Sequence, residues 1–308
     1  MKTPRWFLKK RIMAYLLCPI SLFYLVGSRL VFNLRKKREY VSRRPIICFG
    51  NILSGGVGKT PLVREIAKFF NAPVVMRGYK KSKETFGIGD EAKMLSNDGI
   101  LVHVGNRKSN LILLNKQKDN TPILMDDGFQ NSGIKKDISI LVFDESIGFG
   151  NGFLLPAGPL REKKSAIRRA DAIVLIKRKN VAPGFALPTD IPVFNARNSE
   201  KCPYDNKTKV IVFAGIGYPE KFFDNVPCKI IEKISFPDHY QYTDDDIEKL
   251  INKAKKKNAK LLTTEKDWVR LPDWAKEQIK FSELHTEIEK SFYSWIKGKV
   301  NDIINQKS

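Results

Sequence analysis

The segment that most constrains the fold is a glycine-rich turn between an apolar run and an amphipathic helix. It starts at Pro45 and reads PIICFGNILSGGVGKTPLVREIAKFF. Glycines at 55, 56 and 58 leave room for consecutive backbone N–H groups to wrap around phosphate oxygens. The same groups open the helix, whose dipole favours negative charge. A strand, turn and helix in this order predict the phosphate-binding loop of an α/β nucleotide-binding domain.

The residues of this loop predict how a nucleoside triphosphate would be held. Lys59 would reach the β- and γ-phosphates, and the Thr60 hydroxyl would bind Mg²⁺. The loop is a variant, because the strict pattern has glycine where this chain has Leu53. A purely structural glycine turn is the alternative. The predicted nucleotide-binding residues are Ser54, Gly55, Gly56, Val57, Gly58, Lys59 and Thr60.

A second motif, PILMDDGFQN, supplies acidic residues for the metal. Asp126 and Asp127 follow an apolar run, so they stand at the carboxyl end of a predicted strand, where α/β domains bind ligands. Together with Thr60 and Gln130 they are the predicted Mg²⁺ residues. We expect the two aspartates to differ in role, because successive side chains of an extended backbone point to opposite sides. A solvated turn is the alternative.

Beyond the loop, short apolar runs alternate with helical stretches, which predicts a parallel sheet with flanking helices and a second, smaller α/β domain. The polar residues 195–209 have no clear period and are predicted to be a linker. The predicted strands are 45–49, 73–76, 100–104, 122–125, 138–143, 172–176, 210–214, 230–236 and 260–263. The predicted parts are 1–44, a membrane-associated helix with basic flanks; 45–205, a P-loop nucleotide-binding domain; and 206–308, the smaller domain, whose final helix could return to the first.

The N-terminal part carries a large share of the net charge of +22. Residues 1–44 hold twelve Lys or Arg and one acid, on both sides of the apolar run 12–32. Pro19 is expected to interrupt a helix here, and Arg29 lies within the run. We therefore expect a helix that lies in or dips into an anionic membrane surface. A buried helix with basic ends is the alternative.

The composition excludes several other classes of protein. With 42% apolar residues, most of the chain is expected to fold rather than remain disordered. Four scattered cysteines support neither a disulfide framework nor a zinc site and suggest a reducing compartment. The net charge could indicate a nucleic-acid-binding protein, but the charge is concentrated beside an apolar helix and no nucleic-acid-binding motif occurs. We predict no nucleic-acid partner and no obligate protein partner.

Nine segments of the chain resemble, in order, those of the tetraacyldisaccharide 4′-kinase family, the lipid A 4′-kinases of Gram-negative bacteria. The segments are GNILSGGVGKTP, RGYK, GDEAKML, LMDDGFQN, FGNGFLLPAGPLRE, RADAIVL, FAGIGYPEKFF, FPDHYQYT and TTEKDWVRL. The resemblance implies transfer of the γ-phosphate of ATP, with Mg²⁺, to the 4′-hydroxyl of tetraacyldisaccharide 1-phosphate at the cytoplasmic face of the inner membrane. The alternative is a membrane-associated P-loop ATPase or GTPase switch without a lipid acceptor.

The resemblance also implies a catalytic set. Asp90 of GDE and His239 of FPDH would activate the sugar hydroxyl, with Lys59 on the phosphates. Because His239 follows the predicted linker, the active site is expected in a cleft between domains that could close on the substrate. The alternative is that Asp90 caps the helix EAKML and that His239 is a partly buried strand-end residue.

Recognition of the lipid sugar and its phosphate is the last implied role. The implied substrate-binding residues are Arg77, Tyr79, Arg107, Asn151 and Arg161. Arginine suits phosphate oxygens because its planar fork donates two parallel hydrogen bonds. The chain departs from many related sequences at Asn131, where those carry histidine. Any role of that histidine is weakened or reassigned here.

Overall fold

The chain forms two compact units in a computed structural model that describes residues 7, 12–55, 57–78, 89–178 and 184–307. The smaller unit is Asn198–His285, and the larger contains the described residues before it together with those from Thr286 onward. The predicted division at residues 44 and 205 stays a prediction.

The larger unit is built on a parallel sheet. Its strands are β1 (Ile46–Gly50), β2 (Val74–Met76), β3 (Val102–Val104), β4 (Ile123–Asp126), β5 (Ile138–Asp144), β6 (Ala172–Lys177) and β7 (Val193–Lys201). They are ordered β3-β2-β4-β1-β5-β6-β7, and each neighbouring pair is parallel. The strands β1, β4 and β5 are buried throughout, as a parallel sheet covered on both faces requires. This confirms the predicted α/β fold.

Most of the helices of this unit cover the sheet and complete its core. The helices are α1 (Ile12–Lys36), α2 (Lys59–Phe70), α3 (Asp90–Asn97), α4 (Arg107–Asn115) and α9 (Lys290–Lys307), with a 3-10 helix at Lys164–Arg169. The last helix belongs to the larger unit, where Phe292, Ile296 and Val300 join the same apolar cluster as Val63 and Ile66 of α2.

The smaller unit is a second parallel α/β arrangement. Its elements are β8 (Lys209–Ala214), α5 (Pro219–Phe223), β9 (Lys229–Ser235), α6 (Asp244–Lys256), β10 (Lys260–Thr264), α7 (Glu265–Trp268), α8 (Asp273–Lys276) and β11 (Ile279–Ile288), the last three residues of which belong to the larger unit. The strand order is β11-β10-β8-β9. Helix α6 begins where the Thr243 hydroxyl accepts a hydrogen bond from the N–H of Asp246 at 3.2 Å and the Asp246 carboxylate accepts one from the N–H of Thr243 at 3.0 Å.

Helix α1 runs without a break through Pro19, so the predicted interruption is wrong. Proline lacks the N–H that would donate to Tyr15 O, and the loss of this one hydrogen bond does not end the helix. The Cys18 thiol, next to the proline, donates to Ala14 O at 3.4 Å. The helix is one long rod with the length and apolar composition of a membrane span, and 6% of its most apolar window is buried.

The predicted linker 195–209 is also partly wrong, because β7 occupies Val193–Lys201. Phe194 and Ala196 point into the core, whereas Asn195 and Arg197 are exposed. This alternation is the period of a strand with one buried face. Long polar side chains on the other face concealed it in the sequence.

Candidate active site

The glycine-rich loop joins the carboxyl end of β1 to the N-terminus of α2. Gly55 and Gly58 have φ of 118° and 82°, a left-handed conformation that favours glycine. Gly50 at the end of β1 leaves room for the DDGFQN turn, since a Cβ on it would lie 2.5 Å from Phe129 Cβ. Ser54, Val57, Lys59 and Thr60 belong to the same segment, and Gly56 lies outside the described residues. These φ values allow the tight turn that a phosphate-binding loop requires.

The first half of the loop is paired with the segment that follows the GNG turn. The N–H of Ser54 donates to Pro159 O at 2.7 Å, and the N–H of Arg161 donates to Ile52 O at 2.8 Å. Leu53 and Leu160 form the antiparallel bridge between them and are both buried. This pairing explains the variant loop, because position 53 carries a core side chain. Sequence reasoning did not predict this contact.

A charged cluster stands at the mouth of the loop. The Lys59 ammonium lies 3.2 Å from Asp127 Oδ1, and Arg161 Nη1 donates to both Asp127 oxygens at 3.1 Å. Asp127 is in a left-handed turn with φ of 51°. Burial acts to raise the pKa of Asp127, but Lys59 and Arg161 outweigh it, so the net shift is downward. Asp127 is therefore a carboxylate that holds two cations.

The neighbouring Asp126 has the opposite environment. It is the last residue of β4 and 3% exposed. Burial raises its pKa to about 7, although Lys59 opposes the shift and Glu91 adds to it. Among the described residues its Oδ1 has no hydrogen-bond partner. The pKa values of the two aspartates are thus shifted in opposite directions. Glu91, next to the predicted Asp90, is an acidic neighbour that was not predicted from the sequence.

Arg107 fixes the backbone of the acidic pair. Its Nη2 donates to Asp126 O at 2.5 Å and to Asp127 O at 3.1 Å. Burial lowers the pKa of this guanidinium, and the positive charge of Arg77 contributes to the same direction. Arg77 itself is exposed just after β2. Two of the predicted substrate-binding arginines are therefore close enough to influence each other.

Gln130 connects the acidic turn to the loop. Its amide donates to Asn51 O at 2.8 Å and to Glu162 Oε1 at 3.0 Å, and its carbonyl oxygen lies 3.4 Å from Arg161 Nη1. Glu162 was not singled out in the sequence, although it ends the motif that contains Arg161. The amide thus ties the loop to the segment 161–162.

The described residues contain no cluster of three or more His, Cys, Asp or Glu side chains that could hold a metal ion alone. Mg²⁺ bound with nucleotide normally uses only one or two protein carboxylates, the remaining ligands being phosphates and water. The orphaned buried oxygen of Asp126 beside the loop fits that need. The other candidates are Thr60 in α2, and Asp127 and Gln130 in the turn after β4.

Asn151 and Tyr79 are the remaining predicted substrate-binding residues. The Asn151 amide donates to Ala157 O at 2.9 Å, and its oxygen accepts from the N–H of Phe153 at 2.9 Å. In the structure this side chain organises the turn 151–158. Tyr79 lies outside the described residues.

Asp90 and His239 belong to different units, and their cooperation stays a prediction. Asp90 is the first residue of α3, whose N-cap is Gly89, so the alternative of Asp90 as the helix cap is wrong. His239 has φ of 58°, its side chain is 61% exposed, and its Nδ1 lies 3.3 Å from Arg270 Nη2. Its imidazole is therefore accessible and oriented by an arginine.

The parallel sheet, the glycine-rich loop and the acidic pair at the strand ends define a P-loop nucleotide-binding protein. Residues 13–301 match the family model described as tetraacyldisaccharide-1-P 4′-kinase. The chain belongs to this family, which confirms the resemblance found in its motifs.

Relatives and a solved structure match most of the chain. It is 36% identical over 296 residues to the tetraacyldisaccharide 4′-kinase of Paramagnetospirillum magneticum, covering 88% of this chain and 90% of that protein. The enzyme of the same name from Rickettsia felis is 36% identical over 290 residues, covering 88% of each. The crystal structure of LpxK from Aquifex aeolicus in complex with ATP is similar with a TM-score of 0.77 and 27% identity, over 95% of this chain and 100% of that one.

The raised pKa of Asp126 predicts a pH-dependent stability. Between the ordinary value of 3.8 and about 7 the folded protein keeps a proton that the unfolded chain has lost, so stability falls as the pH rises through this window. Asn cannot ionise. In Mg²⁺-free buffer the melting temperature of Asp126→Asn should therefore rise relative to the wild type from about pH 5 to about pH 8.

Asp127→Asn is the matched control for this measurement. The pKa of Asp127 is lowered, so its stabilising charge is already present throughout that range and is lost only at more acidic pH. Its difference from the wild type should change much less over this range, because Asp127 is only a minor cause of the raised pKa of Asp126. A constant difference for Asp126→Asn would contradict the buried, protonated carboxyl.

Proposed function

We propose that this protein transfers the γ-phosphoryl group of ATP to the 4′-hydroxyl of a tetraacyldisaccharide 1-phosphate, giving the 1,4′-bisphosphate of lipid A biosynthesis. Family membership supports the reaction, and the ATP complex of the similar LpxK supports the nucleotide. The observation that carries the proposal is the cluster of Lys59, Asp127 and Arg161 at the mouth of the loop. The alternative of a nucleotide switch without a lipid acceptor is not favoured.

The loop would bind ATP mainly through charge and backbone N–H groups. The loop N–H groups and the α2 dipole suit phosphate oxygens. Lys59 is held near the loop by Asp127 at 3.2 Å, so it would need little reorganisation to reach the phosphates. Because the transition state of phosphoryl transfer is loose, positioning and charge neutralisation contribute most of the catalysis.

Mg²⁺ is proposed as the companion of ATP. When bound, it neutralises charge on the transferred phosphoryl oxygens. Asp126 is the proposed direct ligand, because its buried oxygen lacks a protein partner among the described residues. Thr60, Asp127 and Gln130 complete the proposed set. Asp127 would also keep Lys59 and Arg161 oriented.

Asp90 and His239 are the proposed acid–base groups for the acceptor hydroxyl. A carboxylate can orient an imidazole, or the imidazole can hold the carboxylate as the base. Support comes from the position of Asp90 at the start of α3 next to Glu91, whose charge reaches Asp126. The imidazole of His239 is 61% exposed.

Recognition of the acceptor phosphate is proposed for the arginines. Arg77 is exposed, and Arg107 is close enough for the two charges to interact, an arrangement that attracts a phosphate. Arg161 is engaged by Asp127 and would act from there. Tyr79 is proposed from the family resemblance alone. Asn151 would act by holding its turn rather than by direct contact.

Helix α1 is the proposed membrane element. Ala14 and Ser21 are buried on its inner side, and the Ser21 hydroxyl donates to Leu154 O at 3.0 Å. Its other side exposes large apolar residues: Ile12, Met13, Tyr15, Leu16, Ile20, Leu22, Phe23, Val26, Leu30, Val31 and Leu34. Water does not favour so large an apolar surface. We infer peripheral or monotopic attachment to the cytoplasmic face of the bacterial inner membrane.

A cavity beside α1 supports a lipid acceptor. Its volume is about 430 Å³, and its lining includes Leu22 and Leu25 of the helix, Phe153, and the ammonium-bearing Lys163 and Lys164. Apolar walls next to cations suit an amphiphile that carries phosphate. This lining therefore supports the proposed class of substrate.

The proposed reaction is tested with labelled ATP, Mg²⁺ and the disaccharide 1-phosphate in detergent micelles. The label should appear on the lipid. Lys59→Ala should reduce the rate by at least about 100-fold, because a cation aimed at the phosphates is lost. Lys68→Ala, on the exposed side of the same helix, should leave the rate unchanged. Label found only as inorganic phosphate would refute the lipid acceptor.

The acid–base roles are tested in the same assay. Asp90→Ala and His239→Ala should each reduce turnover by about 10²–10⁴-fold with ATP binding retained, since a positioned proton-transfer group contributes that much. His285→Ala is the control, because that imidazole pairs with Glu283 at 3.1 Å. Turnover within about threefold of the wild type for both variants would show that the assignment is wrong.

Membrane attachment is tested by flotation with anionic vesicles. Replacing Leu16, Phe23 and Leu30 together by Ser should release the protein, because each exposes apolar area on the outer side of α1. Phe69→Ser with Leu113→Ser is the matched control, since these side chains are exposed on other helices. Flotation that persists without the three apolar side chains would argue against attachment through α1.

A further inference from the structure

An arginine connects helix α1 to the acidic turn of the active site. The Arg169 guanidinium, at the end of the 3-10 helix, lies over two aromatic rings. Its Cζ is 4.8 Å from the ring centroid of Phe32 in α1 and 4.6 Å from that of Phe129 in the DDGFQN turn. A cation over an aromatic face is attracted by the ring, and a planar guanidinium can also stack on that face, whereas a lysine ammonium cannot.

The same guanidinium extends this contact to the nucleotide loop. Arg169 Nη2 lies 2.5 Å from Glu162 Oε2. The other oxygen of Glu162 accepts a hydrogen bond from the Gln130 amide at 3.0 Å, and that amide also donates to Asn51 O at 2.8 Å. These contacts therefore form a continuous series from α1 to Asn51, the residue that follows β1 at the start of the loop.

We propose that Arg169 is a positioning residue that couples the placement of helix α1 to the shape of the nucleotide loop. It acts through Glu162 and Gln130 rather than on the substrate. The inference rests on the proposed function only in requiring that the loop binds ATP. It gives the membrane helix a role in nucleotide binding, beyond attachment.

Two further hydrogen bonds hold α1 against the same segments. The Ser132 hydroxyl, in the turn after Gln130, donates to Phe32 O at 2.6 Å. The Tyr24 hydroxyl donates to Arg161 O at 3.2 Å. Helix α1 is thus fixed to both sides of the Gln130–Glu162 contact, so a displacement of the helix would move that contact.

Because Arg169 is exposed, a positioning role can be distinguished from a contribution to folding stability. Its side chain is 36% exposed, and an ion pair in such a place contributes little to folding. Loss of Arg169 should therefore alter how the loop is held more than whether the protein folds. A residue with only a structural role would instead lower the fraction of folded, active protein. The apparent kcat would then fall while KM stayed unchanged.

ATP binding measured by calorimetry in detergent, without acceptor, tests the coupling. Arg169→Met should weaken ATP binding by about three- to tenfold at a nearly unchanged melting temperature. Arg169→Lys keeps a cation for Glu162 but loses the stacking, so its effect should be smaller. Arg168→Met, at the exposed neighbouring position, is the matched control and should bind like the wild type. ATP affinity of Arg169→Met equal to that of the control would overturn the proposal.

A double-mutant cycle shows whether the effect passes through α1. Phe32→Leu and Arg169→Met should be non-additive in ATP affinity, because they interrupt one series of contacts. Leu30→Ala, which is exposed on α1, should be additive with Arg169→Met. Additivity of the Phe32 pair would overturn the coupling. Absence of lipid phosphorylation with this pattern intact would refute the proposed function and leave the coupling standing.

Discussion

The pairing of the nucleotide loop with residues 159–161 is the contact on which the rest of the site depends. Two backbone hydrogen bonds and the buried leucine bridge hold the first half of the loop in an extended form. The same pairing brings Arg161 to Asp127 and Glu162 to Gln130. A loop that would otherwise rely on glycine flexibility is therefore supported by a second segment, and preorganised groups lose little energy in rearranging when charge develops.

The adjacent aspartates show how one strand end can serve two purposes. Burial at the end of β4 raises the pKa of Asp126 to about 7. Near neutral pH its carboxyl is therefore present in both the protonated and the ionised form. Asp127, one residue later in a left-handed turn, is stabilised as an anion by Lys59 and Arg161. Arg107 holds the main chain of both. Environment, not residue type, separates their chemistry.

Local patterns allowed the strand–loop–helix unit, the parallel sheet and the family to be predicted, because each depends on neighbouring residues. Contacts between distant segments could not be predicted in this way. The partner of Leu53 lies more than a hundred residues further along, and Glu162 acquires its place only through Gln130. The strand β7 was missed since polar side chains masked its alternation, and Pro19 was given too much weight because a helix can continue after the loss of one hydrogen bond. Whether Asp90 and His239 cooperate is likewise a question of tertiary structure.

The larger unit is discontinuous in sequence, and this affects how the chain can be made. Its sheet core includes Phe292, Ile296 and Val300 of α9, and Lys307 donates to Asp137 at 2.8 Å near the start of β5. During synthesis those partners reach the ribosome exit only after all of Asn198–His285. The nascent larger unit must therefore wait with part of this cluster uncovered, while the inserted unit, whose residues are consecutive, can fold first.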